Sequence, residues 1–146
     1  MSDSLITPAS RGFLYETRFS VPFHLADPVG VMFFGNIYGV VHTLLEEYGR
    51  EVGVWQSWFR ANQGVGYPIR HCEADYFRFM SHGQTFRVAI RCVSLSASSM
   101  KLETEFSHEG VVHARVQTVH TAIDIATHRK GEITPDLREL FSKSLQ

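Results

Sequence analysis

One long helical period followed by a run of alternating segments limits this chain more than any other feature. Between Ile37 and Val52, apolar residues fall at Ile37, Val40, Val41, Leu44, Leu45, Tyr48 and Val52, the spacing of a helix with one buried face. Asn36 is the expected N-cap and Gly53 the expected stop. Gly39, inside the helix, costs about 1 kcal/mol relative to Ala and predicts close packing against something flat, such as a sheet. Before the helix, residues Phe13–Phe23 (FLYETRFSVPF) read as an aromatic-rich strand ending near Pro22. Trp55–Pro68 is an aromatic connector. After it the helical period disappears: Ile69–Met80, Thr85–Val93, Met100–Phe106 and Val111–Ile125 read as strands, with a turn at His108-Glu109-Gly110. In Thr85–Val93, Phe86, Val88, Ile90 and Cys92 face one way and Arg87 and Arg91 the other. In Met100–Phe106, Met100, Leu102, Thr104 and Phe106 oppose Lys101, Glu103 and Glu105. Pro135 opens a short amphipathic helix with Leu137, Leu140 and Phe141. One helix cannot alternate with four successive strands in βαβ units. The economical packing is an α+β fold, an antiparallel five-stranded sheet curled around one central helix.

A chain of 146 residues that is 44% apolar and 20% charged fits one domain with a real core. Residues 13–146 are expected to form it, with residues 1–12 as a flexible lead-in. That lead-in (MSDSLITPASRG) has neither the basic flank nor the apolar run of a signal peptide. No apolar run is long enough to span a membrane, and the expected location is the cytoplasm. The formal charge is −1, and the densest basic run, His128-Arg129-Lys130, is too short for a nucleic-acid surface. Cys72 and Cys92 lie in apolar segments and read as reduced, buried thiols.

Several chemistries are absent. There is no G-x-S-x-G elbow, no Walker loop and no dinucleotide glycine fingerprint. His42 and Glu46 are four apart and could share a helix face, but two ligands make no metal site, and none is expected. His24, His71, His113, His120 and His128 are scattered along the chain. Glu46 and Glu47 are weaker candidates for a helix-borne carboxylate. The strongest is Asp27, in the stretch DPVGVMFFGNIY from Asp27 to Tyr38. Pro28 restricts it to an extended backbone, and its apolar flanks imply partial desolvation. It precedes a helix whose first N–H groups have no partner and could polarise a carbonyl. A carboxylate beside such donors is the minimum apparatus for acyl transfer.

Asp27–Tyr38 closely resembles the D-x-x-G-[IV]-[VM]-[FY]-x-x-N-[YF] motif of hotdog-fold acyl-CoA thioesterases, nearest the 4-hydroxybenzoyl-CoA thioesterase type. The following His42-x-x-x-Glu46-Glu47 resembles the 1,4-dihydroxy-2-naphthoyl-CoA thioesterases. Asp75-Tyr76-Phe77-Arg78 with Gly83, Ser98-Ser99, and Gly131 to Pro135 are similar to further family features. The resemblance implies a hotdog fold, a homodimer or homotetramer with sites at subunit interfaces, and hydrolysis of an acyl-CoA, with an aromatic acyl group in view. Coenzyme A enters as part of the substrate, so no cofactor is expected.

By the same resemblance, Asp27 is the catalytic carboxylate, attacking the thioester or activating water. The backbone N–H of Phe34 holds the carbonyl oxygen. Gly30 and Gly35 permit the tight path, Asn36 ties the loop, and His42, Glu46 and Glu47 line the acyl pocket or approach the carbonyl. Ser99 stands where the family places Ser before its fourth strand. The chain departs from the family at Phe79, often Pro, and Gln84, often Asp. It also carries an uncharged loop, Ser94–Ser99, where the benzoyl branch has phosphate-gripping cations. Either Arg129 or Lys130 takes over that grip, or the acyl donor is a carrier protein. A non-catalytic acyl-binding module of the same shape is the remaining alternative.

Overall fold

A computed structural model describes residues 12–145, so all of the expected lead-in but Gly12 lies outside the described residues. The chain runs β1 (Tyr15–Ser20), α1 (Ile37–Glu51), α2 (Trp55–Trp58), β2 (Val65–Gly66), β3 (Ile69–Tyr76), β4 (Thr85–Leu95), β5 (Ser99–His108), β6 (Val111–Thr121), β7 (Ile123–Asp124) and α3 (Pro135–Ser142). Short 3-10 turns at Phe23–Leu25 and Phe34–Asn36 precede α1. Five strands form one antiparallel sheet in the order β1-β4-β5-β6-β3. This is the α+β arrangement expected from the strand and helix count. Among the described residues no helix is long and apolar enough to cross a membrane.

The sheet folds around α1 because the two periodicities meet on one surface. Ile37, Val41, Leu45 and Tyr48 of α1 are buried in one cluster with Phe86, Val88 and Ile90 of β4, Met100, Leu102 and Phe106 of β5, and Ala114 and Val116 of β6. Each fully buried side chain of this size contributes roughly 1.5–3 kcal/mol. Leu137 and Phe141 of α3 close the cluster at one end, with Phe141 against the Trp58 ring. Gly53, with φ of +82°, stops the helix where a left-handed residue is needed.

Several expectations change. The strand from Ile69 stops at Tyr76, because Phe77 and Arg78 both turn their N–H groups onto the His113 carbonyl. The last strand is broken at Ala122, and its continuation β7 leaves the sheet to pair with β2. Glu103 and Glu105, on the face opposite Leu102 and Phe106, are buried on the outer face of the central strand. Arg91 and Gln117 bond Glu103, and Arg115 bonds Glu105. Long arginine side chains from the flanking strands lie over the shorter carboxylates and shield them from water. Both cysteines are free, but only Cys92 is buried; Cys72 is exposed, because β3 is an edge strand.

Gly39 corrects a further expectation. A Cβ built there meets nothing within 4 Å among the described residues, so the glycine does not pack against the sheet. Gly39→Ala is therefore expected to stabilise the chain by about 0.5–1 kcal/mol through lower unfolded-state entropy and better helix propensity. A urea midpoint that moves down would show that this face is occupied.

Candidate active site

The Asp27 loop is built by turn chemistry. Asp27 O accepts from Gly30 N at 2.9 Å, closing a four-residue turn with Pro28 second, and Asp27 N donates to Val31 O at 2.8 Å. Gly30 has φ of +85°, which an L side chain rarely adopts, so the loop requires glycine there. Asp27 is half-buried. Its Oδ1 accepts from Val29 N at 2.9 Å and Val31 N at 3.3 Å, while Oδ2 has no partner among the described residues. One carboxylate oxygen thus holds the loop and the other is available. His82 N donating to Gly30 O and Met32 N donating to Met80 O fasten the loop to the segment before β4.

The helix entry differs from the expected cap. Asn36 is the last residue of the 3-10 turn, has helical angles and makes no side-chain cap bond. Its Nδ2 donates instead to Leu25 O at 3.0 Å, beside the bond from Phe33 N to the same carbonyl at 2.9 Å. Two donors on one carbonyl anchor the turn to the Phe23–Leu25 segment. Because this turn precedes the first full α-helical turn, the N–H groups of Phe34 and Gly35 have no acceptor among the described residues. Gly35 is confined sterically: an added Cβ would stand 3.2 Å from the Phe33 ring. The Phe34 carbonyl accepts from Ile37 N and from the hydroxyl of Tyr76.

Thus Asp27, Gly30, Phe34, Gly35 and Asn36 share one loop. Of the helix residues, His42 and Glu46 are not brought to it within one chain, whereas Glu47 shares a groove with Gly35 and Asn36 of the loop. His42 lies some two turns, about 12 Å, along the helix axis from Phe34. His42 Nδ1 stands 3.3 Å from Glu46 Oε1, and both line a cleft of about 460 Å³ with Trp55, Trp58, Phe59 and Tyr67. His120 of β6 forms the floor of that cleft; burial, and secondarily the nearby His42, push its pKa down to about 4. Glu47 faces the other side of α1, in a groove of about 600 Å³ shared with Arg18, Leu25, Gly35, Asn36 and Gly39. Ser99 opens β5, where its N–H bonds Ser96 Oγ at 3.0 Å, and it lines neither cleft.

Arg138 of α3 donates to the carbonyls of Ser96 and Ala97, so the uncharged loop is held from below by an arginine already engaged. Among the described residues no three His, Cys, Asp or Glu side chains converge on a metal position. Sequence reasoning missed the aromatic cleft, because its walls come from α1, α2, β2 and β6. It also missed Tyr76, whose partner lies 42 residues earlier.

Around the loop the surface is strongly apolar. Phe23, Val29, Phe33, Phe34 and Phe79 are all exposed, Val29 at 82% and Phe23 at 79%. Exposed aromatic side chains gathered at one end of a fold mark a surface that binds something.

Comparison with known proteins bears on what that is. The model of the Thioesterase-like superfamily matches residues 21–141. The 1,4-dihydroxy-2-naphthoyl-CoA hydrolase of Nostoc punctiforme is 26% identical over 118 residues, covering 81% of this chain and 80% of the relative. The protein of the same name from Synechococcus elongatus is 23% identical over 126 residues, covering 86% and 93%. Among solved structures, a protein of Prochlorococcus marinus superposes with a TM-score of 0.82 at 24% identity, covering 93% of this chain and 99% of that one. The 1,4-dihydroxy-2-naphthoyl-CoA thioesterase of Synechocystis superposes with a TM-score of 0.75 at 18% identity, covering 90% and 94%.

Proposed function

The chain belongs to the thioesterase-like superfamily, and from that membership we propose that it hydrolyses an aromatic acyl-CoA to the free acid and coenzyme A. The observation that carries the reading is one loop holding both an available carboxylate oxygen, Asp27 Oδ2, and two unpaired N–H groups, those of Phe34 and Gly35. The N–H groups bind the thioester oxygen as negative charge develops on it. Asp27 acts in one of two ways. As a base it takes a proton from water, whose oxygen bonds to the carbonyl carbon; the C–S bond then breaks and the thiolate takes up the proton. As a nucleophile it forms a mixed anhydride with release of the thiolate, and water then hydrolyses the anhydride. In a single turnover in ¹⁸O-water, direct attack by water places the label in the product acid, whereas opening of the anhydride at the Asp27 carboxyl carbon places it in Asp27 and releases unlabelled acid.

The aromatic preference is supported by the walls of the His42 cleft, formed by Trp55, Trp58, Phe59 and Tyr67, and by the aromatic acyl-CoA for which the relatives are named. Because that cleft lies two turns from Phe34, the proposal requires a second copy of the chain, with one copy supplying the Asp27 loop and its partner the cleft. Two features favour such a dimer. The outer edge of β3 is unpaired among the described residues, and Ile69, Tyr38, Phe33 and Phe34 beside it are exposed. Sedimentation is expected to give a dimer or a tetramer, and a monomeric, fully active protein would remove the shared site.

Turnover of matched aromatic and saturated acyl-CoAs tests the substrate class. The expected kcat/KM is at least about tenfold higher for the aromatic series, the discrimination a shaped apolar pocket supplies. A preference for straight saturated chains would sink the aromatic assignment. The Ser94–Ser99 loop, uncharged and bound to Arg138, favours a second reading in which a carrier-protein thioester is the donor. A higher kcat/KM for the carrier thioester than for its CoA counterpart would decide for it.

A further inference from the structure

We propose that Tyr76 is a positioning residue that acts through the Phe34–Gly35 peptide, making the Gly35 N–H a second donor to the thioester oxygen. The inference rests on the thioesterase reading and adds to it the side chain that sets the second of its two donors.

Tyr76 ends β3 and packs, half-buried, against the core. Its hydroxyl donates to the Phe34 carbonyl oxygen at 2.5 Å. That oxygen also accepts from Ile37 N, so both of its lone-pair directions are used. The Phe34 carbonyl and the Gly35 N–H are opposite ends of one planar peptide group. Donors on the oxygen draw charge toward it and leave the N–H more positive, so the peptide transmits the polarisation. The Gly35 N–H has no acceptor of its own among the described residues. A turn this short has little internal restraint, and Tyr76 fixes the plane of its central peptide from across the fold. The hydroxyl keeps its proton at every working pH, because burial, and secondarily Tyr38, push its pKa up to about 12.

Tyr76→Phe preserves the ring and removes only the hydrogen bond. On the best thioester substrate, kcat is expected to fall about tenfold with KM changed less than about twofold, less than the loss of a direct oxyanion donor. The Gly35 amide proton is expected to move upfield in the variant's NMR spectrum, a change that reports on the peptide whether or not the enzyme is turning over. A normal kcat overturns the inference, as does an unmoved Gly35 resonance or a loss seen only in KM. If the wild-type chain hydrolyses no acyl-CoA and no carrier thioester, the thioesterase reading itself fails. If wild type is active and Tyr76→Phe equally so, only the role of Tyr76 falls.

Discussion

Asp27→Asn is expected to lower kcat about a thousandfold, equivalent to roughly 4 kcal/mol of transition-state stabilisation, while leaving the melting temperature nearly unchanged. The contrast follows from the division of labour within the carboxylate. Asn keeps an oxygen to accept from Val29 N and Val31 N, the two bonds that hold the loop. It replaces the available oxygen with an amide nitrogen that neither attacks a carbonyl nor takes a proton from water. Asp27→Ala removes both functions. It should be as inactive and also less stable, by about 1 kcal/mol for each lost bond. Steady-state kinetics and thermal unfolding on the three proteins separate the roles. Wild-type kcat in the Asn variant would show that the carboxylate only builds the turn.

The second large effect is on stability. Lowering the pH from 6.5 toward 4 is expected to cost up to roughly 3 kcal/mol of folding free energy through His120 alone. His120 is 2% exposed, bonded through Nε2 to Thr118 Oγ1 at 2.9 Å, with the Trp58 ring edge-on to it. Burial, and secondarily His42, hold its pKa near 4 in the folded chain, against an ordinary value of 6.5. Above pH 6.5 neither the folded nor the unfolded state protonates this group, and its contribution is fully present. Below that, the unfolded chain takes up a proton that the folded one refuses, so stability falls until the folded group also titrates near pH 4. His120→Gln removes the titration and should flatten urea-derived stability between pH 6.5 and 4, whatever its effect at neutral pH. Wild type and variant are compared at one protein concentration, because association shifts apparent stability. Parallel curves would show that His120 takes up its proton as readily in the folded chain as in the unfolded one.

How much was legible in the sequence depended on how far apart the partners stand. The Asp27 loop could be read because its bonds are local: a proline, a glycine with positive φ and a carboxylate reaching two and four residues ahead. The long helix and the strands could be read because periodicity records burial. The failures share a cause. Asn36 has the composition of a cap, but Leu25 O, eleven residues earlier, claims its amide. Glu103 and Glu105 alternate like solvent-facing residues, yet arginines from neighbouring strands cover them. Gly39 reads as a packing residue, and none of the described residues packs on it.

From the order of its residues alone, this chain determined an antiparallel sheet around one helix and placed an acid in a tight turn at that helix's start. Both are consequences of short-range sterics and of which faces shun water. The tertiary structure decided which oxygen of Asp27 stays available, and that Tyr76 reaches the Phe34 peptide. It also separated His42 and Glu46 from the acid and set them in an aromatic cleft of their own. Each of these depends on side chains from elements distant in sequence, and local periodicity holds no record of which distant groups the packing of a core will bring within a hydrogen bond of one another.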